Sequence, residues 1–350
     1  MPRNDLQQEE RRVHPQQPPR PTRPRYTHDD YTVGAICALA VEKAAFVAML
    51  DEEHEPLPTP KYDDNSYTLG RIGDHNVVAA CLPAGMTGNN SAATVAKDML
   101  RTFPIRIGLM VGVGGGVWSE KVDIRLGDVV VSQPEGIHGG VVQWDFGEME
   151  VGGFKRTGSL NKPPRPLLNA VQDVKIAHLT EGDGLAEHLS KMLQNKPRMA
   201  RMFTHQGTEH DRLYESTYGH AGGETCDGCD DRHIVQRRPR TILDPHVHYG
   251  NIASGNEVMK DGEVRDCIAQ EEGVICFEME AAGLMDSFPC LVIRGICDYA
   301  DSHKNKRWQP YAAATAAAVA VELLGFVPKQ AVEELEPASK WSIVFERTTR

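Results

Sequence analysis

The chain has 350 residues, of which 40% are hydrophobic and 25% are charged, and its formal net charge is -11. A chain of this length and composition can bury the core of one large α/β domain or of two small ones. Its net negative charge argues against general affinity for nucleic acid, no apolar run approaches the roughly 20 residues that cross a bilayer, and the first residues lack the apolar segment of a signal peptide.

The cysteines predict the cellular compartment. Most of the eight lie inside apolar segments, which is typical of reduced core residues in a cytoplasmic protein. Cys226 and Cys229 lie in a polar segment instead. We therefore predict a cytoplasmic location and treat these two thiols separately.

The N-terminal part of the chain contains a basic arm and the first candidate acid. Residues 1–28 are rich in Pro, Arg and Gln, which favours a disordered, solvated arm over a contact with a partner. Residues 31–39 predict a buried strand and residues 40–50 a helix, so Glu42 lies where strand gives way to helix. Ligand sites in α/β folds gather at such strand ends, but a helix N-terminus also stabilises an acid. Both explanations of Glu42 stay open.

Two glycine-rich segments follow. Residues 66–72 and 76–82 predict a hairpin, after which a turn at 84–90, containing Gly85, precedes a helix at 91–102. The backbone N–H groups of such a turn can bind an anion, although this signal is weak when taken alone.

The second glycine-rich segment spans residues 112–116 and follows a buried run at 105–111. Its glycines, Gly114 and Gly115 among them, predict a loop whose backbone can closely approach a flat ligand. The spacing matches neither the dinucleotide fingerprint nor a P-loop.

Residues 145–245 are more polar and less periodic, and we interpret them as an insertion in the core fold. A strand is predicted just before them at 127–132. Within the insertion, helices are predicted at 167–179 and 185–193.

The insertion also contains a candidate metal site. Cys226 and Cys229 form a CxxC motif, and His220 and His233 lie nearby. These residue types are typical zinc ligands, but one CxxC supplies only half of a site. A structural zinc, a free thiol pair and a loop disulfide all stay open.

The segment 273–301 concentrates acids at the ends of buried elements. An apolar run at 274–277 leads to Glu278, Met279 and Glu280, and a second run at 290–296 leads to Cys297 and Asp298. A carboxylate in such a place is costly unless it is paired, hydrogen-bonded or used in function. Helix capping and surface salt bridges are the structural alternative.

The remaining elements complete a single α/β domain at 29–327. Residues 248–255 predict a strand that ends at Asn256, residues 264–272 a helix, and residues 309–326 an Ala-rich helix. Residues 328–350 are predicted to be a tail, or a linker to a further domain.

Seven motifs in this order resemble the nucleoside phosphorylase/nucleosidase superfamily, which includes the methylthioadenosine/S-adenosylhomocysteine nucleosidases. They are the Glu42 turn, the Gly85 turn, the 112–116 segment, GDVVVS, SGN, FEMEAAG and ICDYAD. The CxxC insertion, the run at 299–318 and the closing WSIVFER resemble most the fungal members that form the N-terminal module of large NLR-like proteins. Some relatives in such immune-type proteins are ATP nucleosidases.

The resemblance implies a central mixed, twisted sheet flanked by helices, an irregular insertion, a homo-oligomer, and cofactor-free cleavage of a purine N-glycosidic bond. By resemblance, Asp298 is the acid at the base, Glu280 with Met279 binds the ribose, and Glu42 activates water. The same resemblance assigns the purine pocket to Gly114, Gly115, Val258 and Met259, with Glu278 as an acid near the base. Gly85 and Asn256, which lie in two of the matching motifs, are also expected to contact the substrate.

Hydrolysis is favoured over phosphorolysis. The hexameric purine phosphorylases hold phosphate with an Arg and a Ser, where this chain has Met110 and Val113, and Glu42 would repel a dianion. We therefore expect adenine release from a nucleoside or a nucleotide. A nucleotide phosphate would need basic groups, for which the candidates are Lys260, Lys304, Lys306 and Arg307. A phosphorylase and a catalytically silent ligand-sensing module remain the alternatives.

Overall fold

The computed structural model describes residues 26–240 and 243–340. The strands in these ranges are β1 Val33–Cys37, β2 Glu52–Glu53, β3 Thr68–Ile72, β4 His75–Cys81, β5 Ile107–Gly116, β6 Val129–Ser132, β7 Val141–Gln143, β8 Gly147–Glu150, β9 Gly153–Arg156, β10 Val247–Ser254, β11 Val274–Glu278 and β12 Cys290–Asp298. The α-helices there are α1 Ala40–Ala48, α2 Asn89–Thr102, α3 Arg165–Thr180, α4 Leu185–Asn195, α5 Gly262–Glu272, α6 Gln309–Gly325 and α7 Lys329–Glu333.

The main sheet is mixed and partly closed. Its ten strands follow the order β11, β10, β6, β12, β5, β1, β4, β3, β2, with β7 paired to β10. β11 also pairs antiparallel with the end of β5, where Phe277 lies opposite Gly115. Strands β5, β12, β6, β10 and β11 therefore form a ring, and the other strands extend from it as an open sheet. The fold predicted from the sequence is confirmed.

The glycine-rich segment at 112–116 is a strand, so the prediction of a loop was wrong. These residues complete β5, where Gly112 pairs with Arg294 and Gly114 with Ile296 of β12. The backbone bonds of two neighbouring strands hold the segment extended, whatever its intrinsic freedom.

Helix α6 is the core of one face of the sheet. It is apolar on almost every side, and its many alanines allow close packing against β5 and β12. At Gly295 of β12, a Cβ atom would lie 1.8 Å from the carbonyl oxygen of Ala312. The start of α6 therefore packs directly on the strand that carries Arg294 and Asp298.

The segment predicted as an insertion is only partly irregular. Helices α3 and α4 lie close to the predicted bounds and pack on α6, where Leu167, Val171 and Leu185 join the core. Residues 196–246 contain turns and short 3-10 helices but no α-helix or strand in their described part. Most of the irregular structure thus lies in the later half of the predicted insertion.

The predicted terminal segments lie mainly outside the described residues. Of the arm at 1–28, the structure describes residues 26–28, and the Tyr26 ring lies 4.3 Å from the ring of His54. Of the predicted tail, residues 328–340 include α7, whose Val332 is buried in the core. The closing WSIVFER motif lies outside the described ranges.

Within residues 26–240 and 243–340, no single helix combines the length and apolarity of a membrane span. One pair, Gln309–Gly325 with Lys329–Lys340, meets that test by length and composition, with a bend of 89° between its parts.

Candidate active site

A cavity of about 200 Å³ lies at the carboxyl ends of β5 and β12, between the start of α1 and the end of β11. Glu42, Glu278, Glu280 and Asp298 all line it. A larger hollow of about 370 Å³ lies between α1, α4 and α6. We place the chemistry in the smaller cavity because it brings four buried or nearly buried carboxylates together.

Arg294 organises one end of this cavity. It is fully buried in β12 and bonds to the carboxylate of Glu278, and its Nη2 lies 3.4 Å from Oε2 of Glu280. Burial opposes the charge on Arg294, but the carboxylates of Glu278, Glu280 and Glu42 raise its pKa further above the ordinary value. A permanently charged guanidinium therefore stands among three acids.

Glu42 is held by backbone amides. Its carboxylate accepts hydrogen bonds from the N–H groups of Ala38 at 2.7 Å, Leu39 at 2.8 Å and Val113 at 2.7 Å. Burial raises the pKa of Glu42, although Arg294 and these donors oppose the rise. Glu42 thus stabilises the start of α1, as the structural alternative held, and it also lines the cavity.

Glu280 lies between Arg294 and the turn before α2. Its Oε1 accepts a hydrogen bond of 3.2 Å from the N–H of Gly88. Burial raises the pKa of Glu280, Arg294 opposes the rise, and the neighbouring carboxylates of Glu278 and Glu42 reinforce it. Of the glycine-rich turn, it is therefore Gly88 that touches an acid of the site.

Asp298 forms the other end of the cavity. Its Oδ1 accepts a hydrogen bond from the N–H of Ala300 at 2.9 Å and lies 3.2 Å from Nζ of Lys304. The Cys297 thiol donates to Oδ2 at 3.3 Å. Burial lowers the pKa of Lys304, but Asp298 outweighs this effect and raises it overall. Asp298 is thus fixed by its own loop and paired with one cation.

Glycines of β5 make room for both ends. A Cβ atom at Gly112 would lie 2.3 Å from Nη1 of Arg294 and 2.6 Å from Oε1 of Glu42. A Cβ at Gly115 would lie 2.7 Å from Oδ1 of Asp298. The glycines therefore leave room for the charged side chains to reach the cavity. This explains why glycine is needed at these positions even without a ligand close to the backbone.

Most of the predicted pocket residues line the cavity. Met279, Gly114, Gly115, Val258 and Met259 do so.

Gly85 and Asn256 are not among the residues that line this cavity, so their assignment as substrate contacts stays a prediction. Gly85 lies in an exposed turn that closes with a bond from the N–H of Met86 to Pro83. The side chain of Asn256 accepts a hydrogen bond of 3.1 Å from the N–H of Asn89 and so fixes the start of α2. Thr87, which was not predicted, lies in the cavity wall.

The candidate metal residues form a separate cluster. One ligand atom each of His220, Cys226 and Cys229 lies within 4.8 Å of the other two. His233 is not part of this group, and its Nδ1 lies 2.8 Å from Oε2 of Glu215.

Arg294 is the central residue that the sequence analysis missed. The signal was present, since an arginine interrupts the apolar run predicted as a buried strand. A buried arginine must have acidic partners, and acids at 278 and 280 were already candidates. Combining these two facts would have identified the pairing.

The sequence profile described as "Phosphorylase superfamily" matches residues 32–325. An NLR-like protein of Hyaloscypha variabilis is 49% identical over 315 residues, which cover 89% of this chain and 31% of that protein. A 5'-methylthioadenosine/S-adenosylhomocysteine nucleosidase of Mycobacterium bovis is 26% identical over 85% of this chain and 97% of its own length.

The fold of this chain is also similar to that of solved structures. The S. pneumoniae 5'-methylthioadenosine/S-adenosylhomocysteine nucleosidase, solved with a transition-state inhibitor, superposes with a TM-score of 0.54 at 18% identity. The match covers 85% of this chain and all of that one.

Proposed function

Because this chain belongs to the phosphorylase superfamily, we propose that it is a nucleosidase that hydrolyses the N-glycosidic bond of an adenine nucleoside or nucleotide. One observation carries the proposal: a single cavity holds Asp298 at one end and, at the other, carboxylates organised by Arg294. An acid for the base and carboxylates for the sugar and the water are what this cleavage requires.

The reaction separates charge. As the bond between C1′ and N9 breaks, its electron pair moves to the purine and positive charge develops on the ribose. Asp298, which must take up a proton before this step, donates that proton to N7 of the leaving base. Water forms the new bond to C1′, and Glu42 accepts the proton that this water loses. Each such proton transfer typically contributes on the order of 10²–10⁴ in rate.

Glu280 and Met279 form the ribose site. The Glu280 carboxylate accepts hydrogen bonds from the 2′- and 3′-hydroxyls, while Arg294 keeps the carboxylate in place. Glu278 has a different part, because its carboxylate accepts hydrogen bonds from the N–H groups of Glu280 and Ala281 as well as bonding to Arg294. We therefore assign it a positioning role rather than a contact with the base.

Hydrolysis is preferred to phosphorolysis on electrostatic grounds. Val113 lines the cavity, and its N–H is already bonded to Glu42. Met110 is buried in the core. A phosphate dianion at this place would meet three carboxylates and one arginine that they already neutralise, so water is the better nucleophile.

An adenine nucleotide is our preferred substrate, with Lys304 as the support for a phosphate. Of the four basic candidates, Lys304 lies in the cavity wall, and its side chain is 25% exposed. Lys260, Lys306 and Arg307 do not line this cavity. A relative that is 26% identical is named a 5'-methylthioadenosine/S-adenosylhomocysteine nucleosidase, so methylthioadenosine, whose 5′ group is uncharged, is the second candidate.

An effector role in a longer immune-type receptor is part of the same proposal. It is supported by the similarity to the NLR-like protein, of which this chain spans 31%. We also propose a cytoplasmic homo-oligomer, which light scattering of the purified chain would measure.

The test is chromatography of reactions with ATP, AMP, adenosine and methylthioadenosine, first without phosphate and then with it. We expect adenine in phosphate-free buffer, lost in Asp298→Asn, and a clear preference among the four compounds. Release that depends on phosphate would replace the hydrolase by a phosphorylase. If no compound yields adenine under either condition, the silent ligand-sensing alternative replaces the enzyme.

A further inference from the structure

We propose that Cys226, Cys229 and His220 bind a zinc ion together with His303, which lies on the loop that carries the catalytic Asp298. The zinc would therefore connect the irregular segment 196–246 to the active-site loop. The site is distinct from the cavity and takes part in no step of the cleavage reaction.

The first three ligands are already gathered. Their ligand atoms lie within 4.8 Å of one another, and tetrahedral zinc needs separations of about 3.3–3.8 Å between donors. Both thiols are free in the structure. His220 donates through Nε2 to the carbonyl of Thr225 and accepts through Nδ1 from Gly222, so zinc binding replaces one of these two bonds.

His303 is the independent observation that points to a ligand. It is 7% exposed, yet neither ring nitrogen has a hydrogen-bond partner among the described residues. Its ring stacks on Tyr214, with 4.1 Å between centroids, and lies 5.5 Å from the ring of His220. Two imidazoles on one tetrahedral zinc place their centroids about 5 Å apart. The carbonyl oxygen of His303 also lies 3.7 Å from Sγ of Cys226.

Asp301 completes the pattern around the proposed ion. Its Oδ1 lies 3.6 Å from Nδ1 of His303, and its Oδ2 lies 3.8 Å from Arg265. A histidine that binds metal through one nitrogen commonly donates the other N–H to a carboxylate, which fixes the ring. Here Asp301 would receive Nδ1–H and leave Nε2 for zinc.

Zinc binding would convert the two thiols to thiolates and release two protons. It would also fix His303, five residues after Asp298 and adjacent to Lys304. We infer that the ion holds this loop in the conformation in which Lys304 meets Asp298.

The first experiment measures metal in the full chain, purified without chelator under reducing conditions. We expect one zinc per chain by mass spectrometry of the metal, and, after replacement by Co²⁺, the visible bands of a tetrahedral site with a thiolate charge-transfer band. The proposed site would be overturned if the protein held no zinc and showed no such bands, or if the intact protein contained a Cys226–Cys229 disulfide.

Matched variants then test each ligand. Cys226→Ser is expected to lose zinc, whereas Cys267→Ser, which removes an exposed cysteine on α5, is expected to retain it. His303→Gln should weaken zinc binding at least tenfold in competition with a chelator, and His303→Cys should restore it. His233→Gln is the histidine control. Equal affinity in His303→Gln and the unaltered chain would overturn the link to the loop.

Hydrogen exchange gives a readout that does not depend on activity. Removing zinc should speed exchange of the amides at 299–304 and leave those of β1 unchanged. Unchanged exchange at 299–304 would also overturn the link, even if zinc binds.

Discussion

At the two ends of the cavity, buried carboxylates are stabilised by cations in different ways. At one end, Arg294 is fully buried and shared by three carboxylates. At the other, the side chain of Lys304 is 25% exposed and pairs with Asp298. A buried pair leaves an unpaired charge when one partner is lost, while a partly exposed pair can exchange its partner for water or ligand. We therefore call the end at Arg294 the fixed end and the end at Lys304 and Asp298 the responsive end, because the second pair can rearrange when substrate binds.

The largest effect is expected from Arg294→Met. The change leaves Glu278, Glu280 and Glu42 without their cation in a buried site, which should lower the free energy of unfolding by about 3–5 kcal/mol. Adenine release should fall below detection. Urea titration measures the first effect and chromatography the second.

Arg294→Lys is the control for this change. It keeps the charge but not the planar fork, so part of the stability should return. Stability of Arg294→Met equal to that of the unaltered chain would contradict the idea of a fixed end.

Asp298→Asn should affect rate rather than folding. The amide keeps the shape of the side chain and can still accept from the N–H of Ala300, but it cannot donate a proton to the base. We expect adenine release to fall by about 10²–10⁴, which is roughly 3–5 kcal/mol in the barrier. The urea midpoint should stay near that of the unaltered chain, and a large drop would mean that Asp298 is mainly structural.

The contrast between the two ends also shows what the sequence could predict. The α/β fold and the order of its main elements follow from the apolar runs, and the charged residues that end these runs mark Glu42, Glu280 and Asp298 as candidates. The roles of these acids come from the family resemblance and not from the pattern. The strand at 112–116 could not be predicted from its glycines, because its conformation depends on Arg294 and Ile296 across the sheet. The turn at 84–90 has a related limit, since local turn chemistry does not say that Thr87 lines the cavity and that Gly88 bonds to Glu280.

The acidic limb of the pH profile tests the fixed end. Burial raises the pKa values of Glu42 and Glu280, and Glu42 must be ionised to accept a proton from water. Activity should therefore be present at higher pH and fall as pH decreases through values above 4.5, the ordinary value for glutamate. The measurement is kcat/KM against pH.

Glu280→Gln serves as the comparison for this profile. If Glu42 sets the acidic limb, the limb remains in the residual activity of Glu280→Gln and disappears in Glu42→Gln. A limb at or below pH 4.5 in the unaltered enzyme would argue against a buried base.

The smallest effect on stability is expected from Lys304→Met, which tests the responsive end. The side chain is partly exposed, and its loss should change the free energy of unfolding by less than about 1 kcal/mol. If Lys304 supports a substrate phosphate, kcat/KM should fall about tenfold or more for AMP and ATP, in line with the roughly 1.5–3 kcal/mol of a charged hydrogen bond, and much less for methylthioadenosine. Lys306→Met, two residues along the same loop but outside the cavity wall, is the control. An equal loss for all substrates would show instead that Lys304 acts through Asp298 on the leaving base.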